Sequence, residues 1–135
     1  MAALSITAAN VALVSGGVRT VTYGETVTQG QPLRKLSTDN KFYLCNQDDA
    51  TQAAASVIAL TPGGDGDLGV VAGAGATINI GATVAIGTVY CVGASDGEID
   101  PTADLASGDF VTIIGHAVST SNMLLTFNAL GVAKA

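Results

Sequence analysis

The stretch Gly64-Asp65-Gly66-Asp67-Leu68-Gly69 meets the Gly-x-Gly-x-x-Gly spacing with which a strand-to-helix turn cradles a dinucleotide pyrophosphate. That chemistry needs a helix N-terminus directly afterwards. The next residues are Val70-Val71-Ala72-Gly73-Ala74-Gly75, a poor helix former, and two aspartates would repel the phosphates. The motif therefore reads as an exposed loop. Asp96, Glu98 and Asp100 stand at alternate positions, like the opening of a calcium loop. The twelfth position is Ser107, where a bidentate Glu is needed, and Thr102 after Pro101 adds no charge. Asp96-Gly97 reads instead as a hairpin turn. Asp65 and Asp67 could coordinate calcium with backbone carbonyls, but so could any acidic glycine loop. No metal and no cofactor is expected.

Nucleophilic and acid–base chemistry finds as little support. His116 is the single histidine, set between Ile113-Ile114-Gly115 and Ala117-Val118, where it would end or line a strand. No serine lies in a nucleophile-elbow motif. Cys45 and Cys91 each follow a tyrosine within an apolar run, and their number and spacing fit neither a disulfide framework nor a zinc site. They read as buried thiols in a reducing compartment, with a bridge open to them if their strands are neighbours. Paired carboxylates for sugar hydrolysis usually come with aromatic platforms, and the chain has no Trp. No catalytic residue is expected, and the chain is not read as an enzyme.

The charge pattern points elsewhere. Of 135 residues only 12% are charged, against about 25% in an ordinary globular domain. Hydrophobic residues make up 48%, much of it alanine, and glycine contributes 17. Uncharged surface of this kind suits protein–protein contact. The bases Arg19, Arg34, Lys35 and Lys41 fall in the first third, while nine of eleven acids follow Phe42. A domain so divided is dipolar and can be oriented as it approaches a partner. A net charge of −6 argues against nucleic acid, whose phosphates demand Lys and Arg. Residues 68–95 carry no charge, but Gly69, Gly73, Gly75, Gly81, Gly87 and Gly93 punctuate them, so strands and turns fit better than a membrane helix. Residues 1–14 lack the basic start of a signal peptide, and Ser5, Thr7 and Asn10 interrupt their apolar run.

The elements that must carry these residues are strands. Residues 18–23 alternate and are rich in β-branched side chains; Asp39-Asn40 separates residues 33–36 from 42–45 as a turn should. Further strands are expected at 56–60, 69–72, 77–80, 88–92, 110–114 and 123–127, with one or two helical turns at 49–55 capped by Asp48 or Asp49. This is an all-β pattern, a small β-barrel or β-sandwich over residues 18–135, preceded by an extended N-terminal arm over residues 1–17. Gly24-Glu25-Thr26-Val27-Thr28-Gln29-Gly30 also matches Gly81-Ala82-Thr83-Val84-Ala85-Ile86-Gly87, and at the same shift Asp39-Asn40-Lys41-Phe42 falls on Asp96-Gly97-Glu98-Ile99. Duplicated halves would produce this, and so would coincidence in a chain full of Gly, Thr and Val.

From Gly24 onwards the chain resembles the small capsid decoration, or cement, proteins of tailed bacteriophages. The resemblance is carried by residues 24–33, by Lys41-Phe42-Tyr43-Leu44 and by Asp48-Asp49-Ala50. It continues through Gly81-Ala82-Thr83-Val84, Gly87-Thr88-Val89-Tyr90, Gly97-Glu98-Ile99, Pro101, residues 104–112 and Ile114-Gly115-His116-Ala117, about four-fifths of the chain in order. It implies a β-rich domain, usually a homotrimer, bound through the major capsid protein to the outer face of a virion shell, with an N-terminal arm over neighbouring subunits. It carries over no catalytic residue. The contact expectation is that Arg19, Arg34, Lys35 and Lys41 face an acidic shell while the acidic loops face solvent. The alternative is a receptor- or glycan-binding module of a head fibre or tail, for which Asp65, Asp67 and Asn122 are the loop-tip candidates.

Overall fold

A computed structural model describes residues 3–135. The β-branched runs form β1 (Ala12–Ser15), β2 (Val18–Thr22), β3 (Pro32–Lys35), β4 (Phe42–Leu44), β5 (Val57–Ala59) and β6 (Leu68–Ala72). After them come β7 (Thr77–Asn79), β8 (Val89–Val92), β9 (Ile99–Pro101), β10 (Phe110–Ala117) and β11 (Asn122–Ala133). Two single 3-10 turns, Ala8–Asn10 and Thr102–Asp104, complete the described elements. The fold is all-β and sandwich-like: two open antiparallel sheets, ordered β1-β7-β11-β10-β8-β9 and β2-β6-β5-β3-β4. At 49–55 a single turn forms. Ala53 N–H donates to the Asp49 carbonyl at 3.0 Å, and the Asp49 carboxylate caps Gln52 N–H at 2.7 Å. The chain then leaves directly into β5.

The two sheets repeat one another. β2 to β6 are arranged first, fifth, fourth, second, third, and β7 to β11 are arranged in the same order. In the β3–β4 hairpin Leu33, Arg34 and Lys35 face Leu44, Tyr43 and Phe42. In the β8–β9 hairpin Tyr90, Cys91 and Val92 face Pro101, Asp100 and Ile99, the same register 57 residues later. Asn40 (φ 58°) and Gly97 (φ 79°) take the left-handed conformation at equivalent places in the two turns. That conformation is cheap only for Gly and tolerable for Asn. β1 is extra, laid on the outer edge of β7.

Each unit has its own core. Tyr23, Leu33, Phe42, Val57, Ala59 and Val71 fill the smaller one; Ile78, Tyr90, Ile99, Ile114, Met123 and Leu125 head the larger. Ile58 and Ala72 point out of the first sheet into the larger core, so β5 is buried on both faces. This is why residues 57–59 read as a continuous apolar run rather than an alternating one. Burying the Ile58 side chain is worth about 2–3 kcal/mol and ties the units together. The Tyr23 ring lies against Gly69, where a Cβ would collide with its Cζ, and its hydroxyl donates to the Thr61 carbonyl at 2.7 Å.

The first two residues of the expected arm lie outside the described residues. The rest of it, extended except for the 3-10 turn at Ala8–Asn10, lies on the domain itself. Leu4 N–H donates to the Ile99 carbonyl (2.8 Å), Thr7 N–H to the Gly81 carbonyl (2.7 Å), and β1 pairs with β7, Leu13 facing Ile78.

Candidate functional site

The β3–β4 hairpin gathers the four bases of the first third. Its turn is held by Asn40 N–H on the Leu36 carbonyl (2.8 Å) and Lys41 N–H on the Asp39 carboxylate (3.0 Å). Arg34 therefore stands beside its cross-strand partner Tyr43, its guanidinium carbon 6.0 Å from the ring centroid and its Nε donating to the Leu44 carbonyl at 3.3 Å. From β2, Arg19 reaches over the Phe42 ring at 5.4 Å. Lys35 is exposed on β3 opposite Phe42, and Lys41 Nζ lies 3.0 Å from Asp65 Oδ1. Strand alternation puts Arg34 and Lys35 on opposite faces, so the cluster wraps the hairpin rather than paving one side.

These internal contacts are weak. An exposed cation over an aromatic ring is worth about 0.5–1 kcal/mol, and an open surface pair such as Lys41–Asp65 about 0–1 kcal/mol. A partner's carboxylates could replace them at little cost. Three acids fringe the cluster. Glu25 accepts the Leu44 N–H at 2.9 Å, Asp65 pairs with Lys41, and Asp39 accepts the Tyr43 hydroxyl at 2.5 Å. The Tyr43 hydrogen bond, then the Lys41 backbone N–H, holds the Asp39 carboxyl below its usual range, and the same bond pushes the Tyr43 phenol up. The fifth base, Lys134, is far along the chain and donates to the Leu105 carbonyl at 2.8 Å.

The other sequence candidates are placed separately. Gly64–Asp67 lies in the turn between β5 and β6, and Leu68-Gly69 already open β6: Asp67 accepts the Gly64 N–H at 2.8 Å and Gly66 N–H donates to the Tyr23 carbonyl at 2.8 Å. A strand comes after it, not a helix. In the β8–β9 turn Asp96 accepts from Asn46 at 2.7 Å and Glu98 from Ser95 N–H at 3.4 Å, while Asp100 is buried on β9. Among the described residues no three His, Cys, Asp or Glu side chains converge as a metal-binding group. Cys45 and Cys91 are free and buried, and burial pushes both thiols up to about 12. His116 lies on β10 between Leu124 and Val89. Asn122 opens β11 beside Asn79 in the six-stranded sheet, whereas Asp65 and Asp67 lie in the β5–β6 turn of the other sheet. An open depression of about 570 Å³ lies between the N-terminal segment and the second unit, lined by Ser5, Thr7, Asn79, Thr83, Thr120 and Ser121 among others.

Sequence reasoning missed the aromatic partners of the arginines. The signal was present in Phe42-Tyr43 directly after the turn, since hairpin register sets them opposite Lys35 and Arg34. No family model matches the chain, and no curated protein matches it in sequence.

Proposed function

We propose that the chain is a structural decoration protein: it binds the outer surface of a phage head through the major capsid protein and stabilises the shell. The observation that carries this reading is the convergence of Arg19, Arg34, Lys35 and Lys41 on one hairpin of a chain whose net charge is −6. A cationic edge on an acidic body orients the approach to an acidic surface and sets the on-rate. Large apolar side chains left in solvent, Leu68 and Ile86 each 70% exposed, offer neutral contact area besides. The sequence resemblance points the same way.

The test is to mix the protein with undecorated capsids, sediment them and count bound copies per shell. Native chain should saturate at a fixed ratio. Arg34→Glu with Lys35→Glu should lower occupancy at least tenfold at low salt and reduce its salt dependence. Unchanged occupancy would remove the hairpin from the interface. Absence of native binding would favour the receptor- or glycan-binding reading, for which the hydroxyl- and amide-lined depression is the feature to probe with a glycan array.

A further inference from the structure

The two units differ at one joint. In the first, Gly24 N–H donates to the Phe42 carbonyl at 2.9 Å, joining the end of β2 directly to β4. The equivalent positions in the second unit are Gly81 and Ile99, and a foreign segment stands between them. Ile99 accepts from Leu4 N–H and Gly81 from Thr7 N–H, at 2.8 and 2.7 Å. Two glycines make room for it. A Cβ on Gly81 would stand 2.5 Å from the Thr7 carbonyl oxygen, and one on Gly30 would stand 2.9 Å from Ile6 Cγ2. Leu4 and Ile6 pack on the larger core, and β1 continues the segment along β7.

After β1 the chain crosses to the other sheet through Gly16-Gly17 alone. Gly16 is at φ 101°, and a Cβ there would lie 2.7 Å from Ala76 Cα. By pairing, residues 4–15 belong to the second unit; by covalent continuity they lead into the first. The same segment from another copy would make the same contacts. Which segment fills the groove then depends on hinge strain and concentration, and short, constrained hinges favour exchange. The segment has no Asp, Glu, Lys or Arg, so a copy of net charge −6 does not repel it directly.

We propose that residues 4–15 are an exchangeable strap, and that the gap between Gly81 and Ile99 is a strand-accepting groove taking this strap from a second copy in an assembly. Main-chain hydrogen bonds give the attachment, and the Leu4 and Ile6 side chains fix its register. The proposal holds whether or not the assembly coats a shell.

Two full-length variants test it, Thr7→Cys and Ala82→Cys, which flank the strap–groove bond; Cys45 and Cys91 are buried and do not compete. Mixed, equilibrated at high concentration and oxidised, they should give a covalent heterodimer on a non-reducing gel. Four residues inserted between Gly16 and Gly17 relax the hinge and should lower that yield several-fold. A cross-link found only within the Thr7→Cys/Ala82→Cys double variant would overturn the proposal. Sedimentation of the insertion variant reads it independently: its oligomers should shift towards monomer, and an unchanged distribution would also overturn it.

Discussion

Asp100 should make the native protein less stable at neutral pH than in mild acid, and its amide analogue should remove that loss. The residue sits on β9 opposite Cys91, only 8% exposed, and its Oδ1 has no hydrogen-bond partner among the described residues. Burial first, then the negative charges of Glu98, Asp104 and Asp109, push its carboxyl above 3.8; the Ala94 backbone N–H offsets part of this. The folded chain therefore holds this proton more tightly than the unfolded one. Stability from this group is fully present below 3.8 and falls as pH rises through the raised folded value. Leaving a buried neutral polar group unpaired costs about 1–3 kcal/mol and leaving a buried charge unpaired costs more, so a neutral amide, even with its two N–H groups unpaired, is the cheaper group here. Asp100→Asn should thus gain about 1 kcal/mol at pH 7. For a domain of this size that is about 4 °C in melting temperature. Thermal melts of both proteins from pH 4 to 7 read the effect: the curves should converge in acid and separate towards neutrality. A variant less stable at pH 7, or curves that stay parallel, would refute the reasoning.

Other expectations rest on single contacts. With both thiols near 12, only about one molecule in ten thousand is a thiolate at pH 8, so iodoacetamide should leave Cys45 and Cys91 unlabelled in the native protein and modify both in denaturant. Tyr23→Phe should cost about 1 kcal/mol by removing the donor to the Thr61 carbonyl, read as a shift in urea midpoint at unchanged slope. Gly69→Ala drives a methyl into the Tyr23 ring and should cost more, about 3 kcal/mol in the same titration.

Most strands were legible because their residues carry two signals together, β-branching and a turn residue at each end. Residues 18–23 and 88–92 are of this kind, and they form β2 and β8. The strands that escaped lack one signal or the other. β1 is exposed along its whole length, so burial imposes no alternation on Ala12-Leu13-Val14-Ser15. β9 ends on Pro101, which argues against a strand unless the strand lies at an edge, and β9 does. β11 runs on past residue 127 to Ala133 with every side chain exposed, Leu130 and Val132 included, so burial imposes no alternation there. The hairpin cluster was visible as four bases but not as a place, because cross-strand partners depend on register and register depends on the whole sheet. The groove for the strap was not legible at all. It exists only as a difference between two units that share a topology.

That shared topology shows how one backbone can serve two surfaces. At a shift of 57 residues, Arg19, Arg34, Lys35 and Lys41 become Ala76, Cys91, Val92 and Glu98. The hairpins keep the same register, yet one is cationic and the other is not. In the six-stranded sheet the only Asp, Glu, Lys or Arg is the buried Asp100. Asp100 apart, charge has been confined to one unit and to the loops, while the other unit keeps uncharged strands and accepts an uncharged strap. Such a division suits a protein with two kinds of neighbour, one met through charge and one through backbone pairing. The two attachments should then separate under salt: raising ionic strength weakens contacts made by the Arg34 hairpin and leaves those made by the strap, whose hydrogen bonds and apolar side chains are not screened.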